Sequence, residues 1–204
     1  MKVGPALREL RNVVSIDDYP DRIIRWVTPQ VVSVLRVPLN PLDIPYALGY
    51  LEAIWKSKTG SYLFFNVNPT SVGRLTQACT SEDSFNSLLS ALSDVLGQVV
   101  PPGTKFPPQK AALEAFGLGV NSLLELESQI RTQEAINFLI EIRHLRVSTQ
   151  HGDARHRAVL AFEKLGLPFP PVSWEFAWEH IAVRAKSALD SLREEIHVGI
   201  KDPS

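Results

Sequence analysis

Cysteine is almost missing from this chain, with Cys79 alone among 204 residues. One thiol can neither close a disulfide within the chain nor build a cysteine metal cluster, and such usage fits a reducing compartment. An excess of either charge is missing too. Lys and Arg number 21 against 22 Asp and Glu, a formal net charge of -1. That balance excludes a generally basic nucleic-acid coat, so any such binding needs a local patch. No apolar run reaches the ~18 residues that cross a bilayer. The most apolar stretch, VTPQVVSVLRVPL, is broken by Pro29, Gln30, Arg36 and Pro38. The opening MKVGPALRELRNVV lacks the uninterrupted apolar region of a signal peptide. The expectation is a soluble, cytoplasmic protein with no membrane association. A Gly-x-Ser-x-Gly elbow and a His-Glu-x-x-His zinc helix are absent as well. The GLGV at 117–120 has neither the spacing nor the preceding strand of a phosphate loop. No metal ion and no cofactor are expected.

What is present is mostly helical. Residues 1–70 read as an irregular N-terminal extension, with VVSVLRV (31–37) strand-like and DRIIRWV (21–27) closer to a helix turn. Within it, YALGYLEAIWKSK (46–58) sets Leu48, Leu51, Ile54 and Trp55 on one helical stripe. SYLFFNVN (61–68) is the best short-strand candidate, or else an irregular apolar lid. Residues 71–204 read as a helical bundle. Its first helix spans 80–97, capped by Thr80 and ended by Gly97, with Phe85, Leu88, Leu89, Leu92, Val95 and Leu96 inward. PPGTKFPPQ (101–109) is a loop, because its prolines fix φ and remove donors. The longest helix is expected from about Val120 to Thr149, its apolar repeat running Leu123, Leu126, Ile130, Ile136 or Asn137, Leu139 or Ile140, and Ile142 or Arg143. A short helix over 153–168 turns Ala158, Phe162 and Leu165 inward and stops at Gly166 and Pro168. Ser173 caps a last helix whose inner face runs Trp174, Ala177, Trp178, Ile181, Ala185, Ala188, Leu189, Leu192, Ile196. The fold class is all-α, an antiparallel helical bundle.

Chemistry concentrates in IEIRHLRVSTQHGDARHR, residues 140–157, which holds His144, His151 and His156 beside Arg143, Arg146, Arg155 and Arg157. Acid early and base late along a helix suits the macrodipole, so a solvated helix end explains the arginines without any ligand. A sharper reading follows from direction. Arg143, Arg146 and Gln150 form one i, i+3, i+7 row, with His151 in the adjoining turn. A guanidinium grips phosphate with two parallel hydrogen bonds, and an imidazole moves a proton near neutral pH. Together they are the least equipment for phosphodiester chemistry without a metal. His144, His151 and His156 lack the i, i+4 spacing of a zinc helix.

The stretch Arg146-Val-Ser-Thr-Gln-His151 resembles the arginine, four to six residues, histidine signature of HEPN domains (higher eukaryotes and prokaryotes nucleotide-binding). It stands at the end of a long helix in the C-terminal half of an all-helical chain, as in that family. The resemblance implies an up-and-down bundle that forms a homodimer with the two motifs facing. It implies a metal-independent endoribonuclease of toxin–antitoxin or defence systems, with an antitoxin or other protein as partner. Arg146 would hold the scissile phosphate and His151 would carry the proton. Arg143, His144, Gln150, Arg155 and Arg157 would be supporting RNA contacts. Single-stranded RNA would be the substrate, cut to a 2′,3′-cyclic phosphate and a 5′-hydroxyl, and DNA would be spared for want of the 2′-hydroxyl. Val147 follows the arginine where family nucleases commonly carry a polar residue. The alternative is therefore a non-catalytic helical dimer, an RNA-binding or protein-interaction module.

Overall fold

A computed structural model describes residues 40–108, 111–150 and 155–200, without the side chains of Gln150 and Arg155. The expectations for residues 21–37, and for His151, Gly152 and Asp153, lie outside the described residues. The chain divides into two units, Met1–Pro38 and Leu39–Ser204, and every described residue belongs to the second. Among the described residues there are seven helices and no strand longer than a single bridge. The all-α reading is thus the observed fold class.

The first helix, α1, spans Asp43–Thr59. The Asn40 side chain accepts from Leu42 N–H, and the Asp43 carboxylate accepts from Asn40 N–H, which fixes the turn that leads into the helix. Pro45 falls in the first turn, where a missing N–H costs nothing. Gly60, at φ 72°, closes the helix in the left-handed conformation and donates to Lys56. The inward stripe Ile44, Ala47, Leu48, Leu51 and Trp55 is buried in the bundle core. This helix was assigned to the extension. The structure gives it to the bundle and divides the chain after Pro38 instead of near residue 70, because an apolar stripe of that size must be covered.

SYLFFNVN does not form a strand. It is held as a loop by one antiparallel bridge, Phe64 to Val99, in which Val100 N–H reaches Leu63 at 2.8 Å and Phe65 N–H reaches Gln98 at 2.9 Å. A short helix α2 (Pro69–Arg74) follows, capped by Asn68 with proline in its first turn. Helix α3 (Glu82–Leu96) begins at Ser81, not Thr80. Ser81 Oγ accepts from Ser84 N–H at 3.2 Å, and Ser84 Oγ accepts from Ser81 N–H at 2.8 Å, a reciprocal capping box. All six of its expected inward residues are buried.

The long helix expected from Val120 is broken. Helix α4 (Ala112–Asn121) contains GLGV, and α5 (Leu126–Gln150) starts after a turn. Ser122 Oγ bonds back to the Gly119 carbonyl at 2.7 Å, and Gln129 caps Leu124 at 2.8 Å. Side chains that compete for backbone groups in this way end a helix. The break shifts the inner face to Thr132, Ala135, Ile136, Leu139, Ile142 and Leu145, all buried. Leu126 and Ile130, expected inside, are 74% and 57% exposed. Helix α6 (Arg155–Lys164) ends before Gly166 at φ 77°, and α7 (Trp174–Gly199) is capped by Ser173 as expected.

Residue pairs give the directions. Asn121 meets Gln133 while Gly117 faces Ile136, so α4 and α5 run antiparallel. Arg131 meets Glu195 while Phe138 lies under Arg184, so α5 and α7 do too. Helix α7 lies against α1, α3 and α5 and buries every expected inward residue except Trp174, which is partly buried. Its N-terminal end closes an aromatic cluster, with Phe85 5.2 Å from Trp174 and 6.0 Å from Phe162 between ring centroids. Among the described residues no helix is long and apolar enough to cross a membrane.

Candidate functional site at the basic end of helix α5

The residues that the sequence singles out leave α5 in different directions, and each described basic side chain of its last turns meets an acid. Arg146 Nη2 lies 3.2 Å from Asp94 Oδ1 on α3. Arg143 Nη1 lies 4.0 Å from Glu114 Oε2 on α4. His144 Nδ1 lies 3.4 Å from Glu141 Oε2, whose other oxygen accepts from Lys164 on α6 at 3.0 Å. The end of α5 therefore gathers four helices through three carboxylates.

Two of these pairings are incomplete. Arg146 Nε is buried without a hydrogen-bond partner, and Glu114 Oε2 is likewise buried and unsatisfied. Exposed or half-exposed ion pairs of this type contribute ~0–1 kcal/mol to folding. Holding Arg146 by one nitrogen costs the fold little to release, and it keeps the planar guanidinium aimed along one direction. Below it, Leu145 and Ile142 are fully buried and fix the helix against the core. Thr149 and Ser148 turn their hydroxyls back on the carbonyls of Arg146 and His144, at 3.0 and 2.9 Å. That spends the one donor of each hydroxyl within the helix. Val147 is exposed beside them.

Of the expected site, the structure brings Arg143, His144 and Arg146 to one helix end. The helix runs on through Gln150, and His151 lies outside the described residues. Arg157 stands exposed in the first turn of α6 with His156. Among the described residues no group of three or more His, Cys, Asp or Glu gathers as a metal site would require.

Asp94 and Glu114 are the partners that sequence reasoning missed. Both sit on helices whose polar faces look ordinary, and a contact across the fold leaves no local mark. The other histidine site is structural. His180 Nε2 and Arg184 Nη1 both reach the Leu165 carbonyl at the end of α6, at 3.0 and 2.8 Å. The Arg184 guanidinium lies 4.3 Å over the Phe138 ring, and burial pushes its pKa down. Cys79, buried near the start of α7, has its thiol pKa pushed up by burial, the opposite of an activated nucleophile.

Compared with protein-family models, with curated proteins and with solved structures, the chain matches none.

Proposed function

We propose that this bundle is a HEPN-like, metal-independent endoribonuclease acting on single-stranded RNA, with Arg146 holding the scissile phosphate and His151 carrying the proton. The observation that supports it is Arg146 itself. A guanidinium at the end of a helix anchored in the core is held by a single carboxylate contact, with its Nε buried and unpaired. A phosphate oxygen that displaced Asp94 would gain a charge-assisted hydrogen bond from Nη2 of this guanidinium. Arg143, one turn before Arg146 on α5, and Arg157, exposed on α6, are further cations whose loss would weaken affinity and its salt dependence more than chemistry.

In the reaction, the ribose 2′-oxygen forms a bond to phosphorus and the bond from phosphorus to the 5′-oxygen breaks. The proton leaves the 2′-oxygen and the leaving 5′-oxygen gains one, with His151 as carrier. Arg146 offsets the extra negative charge on the phosphorane. The setting that fits such an enzyme is a cytoplasmic toxin–antitoxin or defence system, in which a second protein restrains it.

The second reading, a non-catalytic interaction module, rests on one specific observation. Leu118, Leu123, Leu126 and Ile130 are exposed together about the α4–α5 turn. Apolar surface of that kind marks an interaction face. Cleavage of single-stranded RNA in EDTA separates the readings. The parent cuts, Arg146→Ala and His151→Ala do not, and all three keep the same folded content. Uncut RNA from all three, with a concentration-dependent dimer, would replace the nuclease by the interaction module.

A further inference from the structure

Away from the basic helix end, two loops carry aromatic side chains outward at a cost in exposed surface. Tyr62, Phe65 and Phe106 are 65%, 40% and 61% exposed, although Leu63 between the first two is fully buried. Aromatic side chains held outward on either side of a buried leucine are displayed because the backbone is fixed, and here the fixing is visible. Glu52, one helix away on α1, accepts from both Leu63 N–H and Phe64 N–H at 3.0 Å. The bridge to residues 98–100 holds the same segment from the other side. Asn66 then takes a left-handed φ of 52°, a conformation that asparagine tolerates better than most residues. On the facing loop, Thr104 Oγ1 donates to the Pro101 carbonyl at 2.8 Å, and Gly103 adopts φ 77°.

These loops enclose a surface groove of about 430 Å³, whose lining includes Tyr62, Phe65, Asn66, Thr104 and Lys105. Ligand sites commonly fall at about 300–1,000 Å³. Phe65 and Phe106 meet edge to face, with centroids 5.1 Å apart and planes at 85°. In that arrangement each ring keeps at least one face uncovered by the other, ready for a planar partner. The charge is one-sided. Lys105 is the single ionised group of the lining and no acid is among it. At the rim, Lys56 Nζ lies 4.1 Å over the Tyr62 ring and donates to its hydroxyl at 3.0 Å. A ligand that fits is flat, stackable and anionic. Neutral sugars and proline-rich peptides also stack on aromatics, but neither uses a cation within the groove.

We propose that the groove between residues 60–66 and 100–105 binds single-stranded nucleic acid, its bases stacking on Tyr62 and Phe65 within it and on Phe106, which packs against Phe65 beside the lining, while Lys105 meets a phosphate. Stacking of this kind tolerates any base and either sugar, whereas a paired base offers no face. The site stands independently of the ribonuclease reading. It does not use Arg146 or His151 and does not need a 2′-hydroxyl.

The test is fluorescence anisotropy of a labelled single-stranded DNA oligonucleotide titrated with the full chain at rising KCl. DNA cannot undergo 2′-hydroxyl cleavage, so a failed nuclease does not disturb the readout. The parent binds the single strand and not its duplex. Phe106→Ala weakens binding about ten-fold or more, and Phe106→Trp keeps it. Lys105→Ala lowers the slope of log affinity against log salt by about 0.7. Phe106 is exposed, so its loss does not threaten the fold, and circular dichroism of each variant controls for that. Absent binding by the parent would overturn the proposal. So would affinity that survives Phe106→Ala but falls with Arg146→Ala, since that places the strand on the helix end. Capture of a neutral proline-rich peptide or an uncharged oligosaccharide in preference to the oligonucleotide would overturn it as well.

Discussion

Replacing Glu52 is a demanding check on how the loop after α1 is built. One carboxylate oxygen of Glu52 accepts two backbone amides, Leu63 N–H and Phe64 N–H, each at 3.0 Å. Glu52→Gln keeps an acceptor oxygen of the same shape, so both bonds survive in neutral form. Glu52→Ala leaves two donors beside the buried Leu63 with no partner. An unsatisfied buried donor costs ~1–3 kcal/mol, and partial access to water reduces that, so the pair amounts to about 2–4 kcal/mol. The glutamine variant keeps both bonds and gives up only a charge that burial already disfavours, so at neutral pH it costs much less than the alanine variant. Urea unfolding followed by tryptophan fluorescence reads the global effect, and amide exchange at Leu63 and Phe64 reads the local one. The charge has its own signature. Burial is the largest influence on Glu52 and pushes its pKa up, against the two amides and Lys56. A raised carboxyl pKa contributes stability below the ordinary glutamate value that is lost as pH rises through the folded value. Glu52→Gln therefore costs least near neutral pH and most in acid. Equal destabilisation by Ala and Gln at neutral pH, with unchanged exchange at residues 63 and 64, would refute the clamp.

Four further outcomes follow from single sites. Thr132 is fully buried on α5 with its hydroxyl unpartnered, so Thr132→Val stabilises by about 1 kcal/mol in chemical unfolding. A Cβ at Gly119 would come within 2.5 Å of the Pro102 ring, whereas one at Gly49 meets nothing. Gly49→Ala thus stabilises by about 0.4–1 kcal/mol, and Gly119→Ala destabilises, as thermal melts of the two will record. Glu195 is held below the usual carboxylate range, first by its hydrogen bond from Arg131. A depressed carboxyl pKa gives stability above the ordinary value that is lost as pH falls through the folded one, so Glu195→Gln flattens the acid limb of stability against pH.

How much of this was legible depended on whether the signal was local. Helix α7 read true because Ser173 and a run of alanines, leucines and tryptophans at helical spacing all lie within one element. On α3 the apolar face was plain, but the cap was displaced by one residue. Thr80 and Ser81 are both good caps, and Ser84, three residues after Ser81, decides between them. The inner face of α5 was misread for a geometric reason. A helix assumed to run unbroken from Val120 carried its phase across the turn at residues 122–125, which placed Leu126 and Ile130 inside. Helix α1 looked peripheral among its flanking prolines, although its own stripe was correctly read.

The candidate site divides in the same way. That Arg143, His144 and Arg146 end a long helix was visible from the absence of glycine and proline before them. That Asp94 and Glu114 reach across to two of them was not, because those contacts join residues far apart in sequence. The aromatic groove was hidden similarly, since Phe65 and Phe106 belong to loops that only the fold brings together.

The most direct test of the proposal that Arg146 and His151 form a metal-free catalytic pair incubates single-stranded RNA with the protein, beside the same RNA resynthesised with one 2′-deoxynucleotide before a candidate scissile phosphate. The products in EDTA are then read by end-group analysis. The account predicts cyclic-phosphate and 5′-hydroxyl ends at every other cut, silence at the deoxy position, and silence throughout with His151→Ala. Cleavage at the deoxy position, or equal cleavage by His151→Ala, would contradict it.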